Sequence, residues 1–218
     1  MADDTLKVLR RATVHEAGVL LEPFVERMKA ARPVDADPSV LRHGFRGVEG
    51  WSGAWICAGG RFRQLSLPPP LEPAATLFID GDVEVDTWLE HQGLTFIRGN
   101  LTVRTLLTSG FLCVAGDVRT ERFVGVDEPE GTWCLGHAAV GELVCLWNHC
   151  VSGTSPWKAQ GEGHEPMRIA ELLATWGVTV DSRLGTPDWD DLVDSDIAPV
   201  SLPNLRVALR DWAARPGS

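Results

Sequence analysis

The chain has 218 residues, 44% of them hydrophobic and 23% charged, and a formal net charge of −10 at pH 7. This length and composition favour one folded domain with additions at its ends over two full domains. The acidic charge disfavours binding to a nucleic-acid backbone or an anionic membrane, because both reward lysine and arginine, and it permits a basic protein partner.

The sequence lacks the features of an exported, membrane-spanning or metal-binding protein. It has no run of 18 apolar residues, and its acidic start, residues 1–4 (MADD), differs from the basic start and apolar stretch of a secretory signal. Its five cysteines form no CxxC pair, which argues against a zinc site or a disulfide framework. We therefore predict a cytoplasmic protein with free thiols and without a metal or other cofactor.

The N-terminal part, residues 1–50, is predicted to be a helical cap followed by a linker. Apolar residues recur at three and four residue spacings over residues 5–32, as on one face of a helix. Pro23 lies inside this stretch, and because proline breaks a helix interior, we expect it to open a second helix that ends before Pro33. Residues 32–38 have no apolar period and indicate the linker.

The central part, residues 51–155, repeats one short phrase five times. The phrase is an apolar alternation broken by a glycine and then a mostly polar residue, and its copies are 17 to 21 residues apart. A period of this size is typical of a solenoid in which each copy contributes one coil. The copies are residues 56–62, 77–85, 95–103, 112–118 and 132–138.

Apolar and polar columns alternate around the repeated glycine. The positions two before and two after it are apolar, whereas the positions one and three after it are mostly polar. Alternation with a period of two puts one set inside a strand and the other outside, so stacked coils align the inner set into ladders. The outer columns are Arg61, Asp82, Asn100, Asp117 and His137, and then Arg63, Glu84, Thr102, Arg119 and Ala139.

A second apolar cluster lies seven or eight residues after each glycine and predicts another inward strand in each coil. The glycine permits a tight bend or a bulge, and the Asp or Asn beside it can satisfy turn amides, so we interpret the Gly-Asp pairs as architecture rather than chemistry. Three cysteines fall inside the phrase, where a small apolar side chain packs well. They are Cys57, Cys113 and Cys134.

The C-terminal part, residues 156–218, is predicted to form a second helical cap. Pro166 can open a helix that Gly177 ends, and a last helix follows Pro203. An open solenoid end exposes its core and an unpaired strand edge, so we expect the flanking helices to cover both ends. The predicted fold class is mainly β, a single-stranded β-helix of about five coils with helical N- and C-terminal caps.

Two histidines are candidates for an enzymatic function. Coils near 18 residues are similar to the left-handed hexapeptide helix of acyltransferases, which need a histidine base beside a cleft between subunits. His137 falls in the outward turn column and is better interpreted as a turn residue. His149 is the better candidate, and a structure in which its side chain is fully packed would remove it.

An acidic segment near the C-terminus is the first candidate binding site. Its carboxylates lack the spacing of a calcium loop, so metal binding is disfavoured. An exposed tryptophan ringed by acids can anchor a basic partner, whereas the alternative is a solvated loop whose tryptophan packs on the body. The candidate residues are Asp188, Trp189, Asp190 and Asp191, with the outward Glu84 and Arg119 as weaker candidates.

The Gly-Asp coils resemble those of bactofilins, the polymer-forming β-helix proteins of bacteria. The likeness covers about residues 55–153 and rests on LFIDGDVEV, FIRGNLTV and CVAGDVRT. It implies a β-helix and leaves the activity open. Bactofilins generally carry short disordered tails and stack end to end, whereas predicted helices flank the repeat here, which disfavours polymerisation.

Chains with such coils and added helices also look like bacterial proteins found as cognate partners of secreted toxins. This resemblance implies a non-enzymatic immunity protein that binds a basic toxin domain directly. The alternatives are a bactofilin-like scaffold and a relative of the hexapeptide acyltransferases. The predicted partner is a protein, with a homodimer possible and with neither nucleic acid nor membrane involved.

Overall fold

The structure, a computed structural model, describes residues 6, 8–30, 54–67, 76–126, 131–146, 149, 151–153 and 158–159. The chain divides into two units, Met1–Gly161 and Glu162–Ser218, and all described residues lie in the first. The predicted linker at residues 32–38 and the C-terminal helices after Pro166 and Pro203 lie outside the described residues.

Ten strands and one helix form the described part of the chain. They are β1 (Val8–Ala12), α1 (Val14–Ala30), β2 (Ala54–Phe62), β3 (Leu65–Leu67), β4 (Thr76–Ile97), β5 (Leu101–Val114), β6 (Val118–Val126), β7 (Thr132–Cys134), β8 (Ala138–Leu146), β9 (Val151–Gly153) and β10 (Lys158–Ala159).

The strands from β2 onward stack in parallel as a β-solenoid of about four turns. The positions two residues after the glycines pair directly from coil to coil, as in Val83 with Leu101, Leu101 with Val118, and Val118 with Ala138. The mainly-β prediction is therefore confirmed. The five phrases delimit about four turns, since each turn runs from one phrase to the next.

The interior is a ladder of apolar side chains, as the alternation predicts. The columns on both sides of the glycine are buried, for example Ile79, Ile97 and Val114 before it and Leu101 and Val118 after it, all 0% exposed. Because each side chain stacks on its equivalent in the next coil, the core is continuous along the solenoid. The three repeat cysteines are buried and free, in agreement with a packing role.

The second apolar cluster supplies two columns that point in opposite directions. Leu106 and Phe123 join the interior, whereas the adjacent Leu107 and Val124 point outward by the alternation of a strand. Leu107 and Val124 are nevertheless 0% and 1% exposed. The predicted inward strand is thus present as the column of Leu106 and Phe123, and in β5 and β6 this lateral face is buried on both sides.

Helix α1 packs along a lateral face rather than on an end of the solenoid. Phe24 lies edge-on to Phe96, with ring centroids 5.1 Å apart, in a cluster that also holds Met28 and Trp133. The guanidinium of Arg27 donates to the carbonyl oxygen of Leu135 at 2.8 Å, so α1 reaches the last phrase. Outward apolar residues of successive coils explain this position, because α1 shields them from water.

The sequence-based helix over residues 5–32 differs from the structure in two respects. Residues 8–12 form β1, which pairs antiparallel with β2, because the first coil offers an unpaired edge that a short segment of either propensity can occupy. Pro23 lies inside one continuous helix and does not divide it. Pro23 is exposed, and the burial of Leu21, Phe24 and Met28 on the opposite side offsets its missing hydrogen bond. Helix α1 is not long and apolar enough to cross a membrane, and no other helix lies in the described part.

Candidate binding face

One lateral face of the solenoid has exposed outward side chains in every coil. Its central column begins at β2 and crosses four further strands, and each member is exposed: Arg61, Glu84, Thr102, Arg119 and Ala139. A column on each side completes the surface, which we call the polar face: Asp82, Asn100, Asp117 and His137 on one side, and Arg63, Asp86, Arg104 and Glu121 on the other.

The central column of the polar face corrects one alignment made from the sequence. Arg61 pairs with Glu84 and not with Asp82, because the register shifts by one residue between Ala58 and Gly60. The additional residue lies in β4, where two steps from Ala58 to Gly60 face three steps from Asp80 to Val83, and Gly81 there has a positive φ of 108°, which a glycine adopts easily.

Side chains next to the repeated glycines hold successive coils together through a ladder of hydrogen bonds. The backbone N–H of Asn100 donates to Oδ1 of Asp82 at 2.7 Å, and its Nδ2 donates to the same oxygen at 3.1 Å. The N–H of Asp117 donates to Oδ1 of Asn100 at 2.8 Å, and the N–H of His137 donates to Oδ1 of Asp117 at 3.0 Å. The predicted satisfaction of backbone amides is correct, but each amide belongs to the following coil.

The glycines leave room for these side chains. A Cβ on Gly136 would lie 2.6 Å from Oδ1 of Asp117 and 2.6 Å from the carbonyl oxygen of Gly116. A Cβ on Gly116 would likewise meet Oδ1 of Asn100. Real Cβ atoms do not approach so closely, so the glycine of one coil and the Asp or Asn of the preceding coil are needed together. The interpretation of the Gly-Asp pairs as architecture is consistent with these contacts.

The charges of the polar face pair with one another across neighbouring coils. The guanidinium of Arg61 contacts Asp86 at 2.9 Å and Glu84 at 4.0 Å, and Arg104 lies 3.8 Å from Glu121. All of these side chains are at least 43% exposed, so each pair contributes little to stability, about 0 to 1 kcal/mol. Little stability is therefore lost when the charges of a partner replace these pairs.

Hydrogen bonds shift the pKa values of two ionisable groups on this face. The pKa of Asp117 is lowered, first because the N–H of His137 donates to its carboxylate and further because Arg119 is near. The pKa of Arg61 is raised, since Asp86 accepts its hydrogen bond. Both groups therefore stay charged at neutral pH.

The acidic charge is concentrated in one coil. Asp82, Glu84 and Asp86 are alternate residues of β4, all exposed, and we call them the acidic row. Alternate residues of a strand lie ~7 Å apart on one side, so the row is an extended line of carboxylates. Further along the face, both signs of charge are present at Arg104, Arg119 and Glu121, and the central column ends at the uncharged Ala139.

The structure places the weaker candidate residues together and says nothing of the stronger ones. Glu84 and Arg119 both lie in the central column of the polar face, two coils apart. Asp188, Trp189, Asp190 and Asp191 lie outside the described residues. The proposed anchor around Trp189 therefore stays a prediction.

The two candidate histidines differ sharply in their surroundings. His137 is exposed and directly follows the bend at Leu135 and Gly136, in agreement with the turn interpretation. His149 is 5% exposed, with Nε2 3.2 Å from Oγ1 of Thr132 and its ring 5.8 Å from that of Phe123. Its ring fills the space beside Gly125, where a Cβ would collide with it. A side chain packed in this way cannot reach a substrate, so His149 is removed as a candidate base.

Sequence reasoning missed the third column of the polar face. Asp86, Arg104 and Glu121 each lie five residues after a repeated glycine, so the period that revealed the other columns also contains this one. Asp86 matters most, because it binds Arg61 more closely than Glu84 does.

No protein-family model, curated protein or solved structure matches the chain.

Proposed function

We propose that the polar face is a docking surface and that the protein is a non-enzymatic binding protein. In the first form of the proposal it is an immunity protein, which neutralises a cognate bacterial toxin by direct contact. The observation that carries the proposal is the contrast between faces. The central column of the polar face is exposed on all five strands that it crosses, whereas the outward residues Phe96 and Leu107 of the other two faces are both 0% exposed.

Rigidity supports a docking role for the polar face. Its backbone is hydrogen-bonded to the neighbouring coils, and the turns beside it are tied by the chain of bonds through Asp82, Asn100 and Asp117. A surface that is ordered before association loses little freedom when a partner binds. A small area of contact with the partner can then give useful affinity, because the polar face does not have to fold on binding.

Charge supports a basic partner. The acidic row presents three carboxylates on one strand, and the whole chain carries a formal net charge of −10. Complementary charge increases the association rate and selects among partners, and it does so less at high salt. A cationic toxin domain, such as one that acts on nucleic acid, has the matching surface.

The test is a charge reversal on the face with a matched reversal elsewhere. The probe is the product of the reading frame next to this gene, purified and titrated by calorimetry. We expect Glu84→Lys to weaken its binding at least tenfold, about 1.4 kcal/mol, because one attraction becomes a repulsion. The control is Glu22→Lys, an equally large change of charge on an exposed position of α1, which we expect to leave the affinity unchanged.

Three results would contradict this proposal. One is the absence of binding by the neighbouring product, another is equal loss of affinity in both variants, and the third is a mass that grows without limit as concentration rises. The last result, measured by light scattering, would favour a bactofilin-like scaffold. Thermal unfolding of both variants checks that the fold is intact, since exposed pairs contribute little to it.

A further inference from the structure

The first coil of the solenoid is closed by the segment that precedes the helix. β1 pairs antiparallel with β2, with Arg10 opposite Ile56 and Ala12 opposite Ala54, whereas every other strand pairing in the described part is parallel. An outer strand of a sheet presents unpaired N–H and C=O groups that can bind another chain. β1 occupies those groups on the first half of β2.

The same segment also contacts the interior core. Leu6, two residues before β1, packs against the interior cluster whose first-coil members include Phe62, Leu65 and Leu67. These three side chains are 5%, 1% and 2% exposed although they belong to the terminal coil. β1 thus covers the strand edge and Leu6 packs against the interior cluster, and we call residues 6 and 8–12 the end cap.

The end cap is anchored at the point where it enters α1. The N–H of Thr13 donates to Oε2 of Glu16 at 2.8 Å, and the N–H of Glu16 donates to Oγ1 of Thr13 at 3.3 Å, which is a capping box. Arg10 lies 3.0 Å from Glu16 as well. The end cap is therefore anchored to α1 through the capping box, whereas its position on the edge of β2 depends on the strand pairing and on Leu6.

We propose that the end cap blocks a self-association site, and that the occupant it excludes is β2 of a second copy of this chain. The edge of β2 already binds a strand in the antiparallel sense. Two copies related by a two-fold axis present their β2 edges to each other in that sense, and their first-coil cores then cover one another. The inference is independent of the docking role of the polar face.

The proposed geometry limits the product to a dimer. A two-fold contact uses the same surface on both copies and closes on itself, whereas a contact between opposite ends of the solenoid stays open and builds filaments. Displacement of the end cap thus converts a monomer into a closed dimer. A partner or a protease that removes the cap would act as the switch.

The test compares two deletions by size-exclusion chromatography with light scattering. The variant that lacks residues 2–12 loses the end cap and keeps the capping box, and we expect its mass to double as concentration rises through the micromolar range. The control lacks residues 2–5 and keeps the cap, so we expect the mass of a monomer throughout. A synthetic peptide of residues 4–13 should return the first variant to a monomer.

A second variant covers the case in which the deletion does not fold. Leu6→Asp in the full chain removes the apolar contact but leaves β1, and we expect a measurable dimer fraction at the highest concentrations. A deletion variant that melts cooperatively but stays monomeric would overturn the proposal. So would filaments of unlimited length, or dimers in both deletions, or a Leu6→Asp protein that remains monomeric at millimolar concentration.

Discussion

At the scale of single residues, the repeated glycine and its polar neighbour form one interlocking unit that spans two coils. The carboxylate or amide of one coil lies where the Cβ of the next coil's glycine would be, and it binds the amide after that glycine. The glycine and the polar residue are therefore explained by their contact and not by either residue alone. The recurrence of the Gly-Asp pair is visible in the sequence, but the residue that each member contacts lies a full turn away.

Gly116→Ala should destabilise the protein by about 1 to 3 kcal/mol, the usual cost of overpacking a tight site. The new Cβ would lie 2.7 Å from the backbone oxygen of Gly99, which cannot move without disturbing a second coil. Urea unfolding measures the change. Gly18→Ala is the matched control, since nothing lies within 4 Å of that position on α1.

The control substitution is expected to change the stability in the opposite direction. Alanine favours a helix over glycine by about 1 kcal/mol, so Gly18→Ala should stabilise the protein. A similar loss of stability in both variants would contradict the interlocking unit, because it would show a general intolerance of methyl groups.

Two histidines are buried in the solenoid interior. His91 is 0% exposed, and its Nδ1 lies 2.8 Å from Oγ1 of Thr108 in the next coil. Burial, together with the smaller effect of the nearby His149, lowers the pKa of His91 to about 3. His91 is therefore neutral in the folded protein at any physiological pH.

The free energy of unfolding should fall as the pH is lowered from about 6.5 toward 3. In this window the unfolded chain binds a proton on His91 and the folded protein does not, so stability is fully present above the unfolded pKa and decreases by about 1.4 kcal/mol per pH unit. His91→Gln should flatten this slope between pH 7 and pH 5, measured by urea unfolding. His15→Gln, on the exposed side of α1, should keep the slope of the natural protein, and equal slopes in all three would contradict the assignment.

At the scale of elements, α1 shows what a solenoid with apolar outward columns requires. Phe96 stacks on Phe78 at 5.2 Å and lies 5.6 Å from Phe111 within the body, while Phe24 covers it from the helix. These rings join successive coils to the helix in a single cluster. The helix is thus part of the folded body.

Phe96→Ala should cost about 3 to 5 kcal/mol, as expected for removal of a fully buried ring. Hydrogen exchange should show that the amides of α1 lose protection more than those of the interior ladder, because the ring anchors the helix. Val19→Ala is the control, since Val19 is 57% exposed, and it should change stability by less than about 0.5 kcal/mol. Unchanged protection of α1 would contradict the role of Phe96.

The elements also show where sequence reasoning succeeds. The solenoid is predictable, because its period is repeated five times and every repeat reinforces the others. β1 is not, because the pairing of Arg10 and Ala12 with β2 depends on an edge more than 40 residues away in the chain. The continuity of α1 through Pro23 likewise depends on packing against coils that a local pattern does not contain.

At the scale of the whole molecule, the three lateral faces have different roles. Two are buried, one of them beneath α1, and the polar face is exposed. Glu84 and Arg119 could be chosen from the sequence because outward polar columns are visible there. The contrast with the other faces of the described part could not, since Phe96 is buried beneath α1 and Leu107 is buried although it points outward from its strand.

The interlocking glycine corner also determines how the solenoid can be lengthened. Successive glycines from Gly81 to Gly136 are 18, 17 and 20 residues apart, yet their ladder is unbroken. The additional residues fall at another corner, where Thr108 and Leu112 in one coil align with Gly125 and Thr132 in the next. Insertions are therefore accommodated between Gly125 and Thr132, whereas the body lengthens by whole coils, ~4.8 Å at a time. Duplication of one coil preserves every bond of this ladder, whereas one residue added at the glycine corner shifts the register of the pairing, as it does between Ala58 and Gly60.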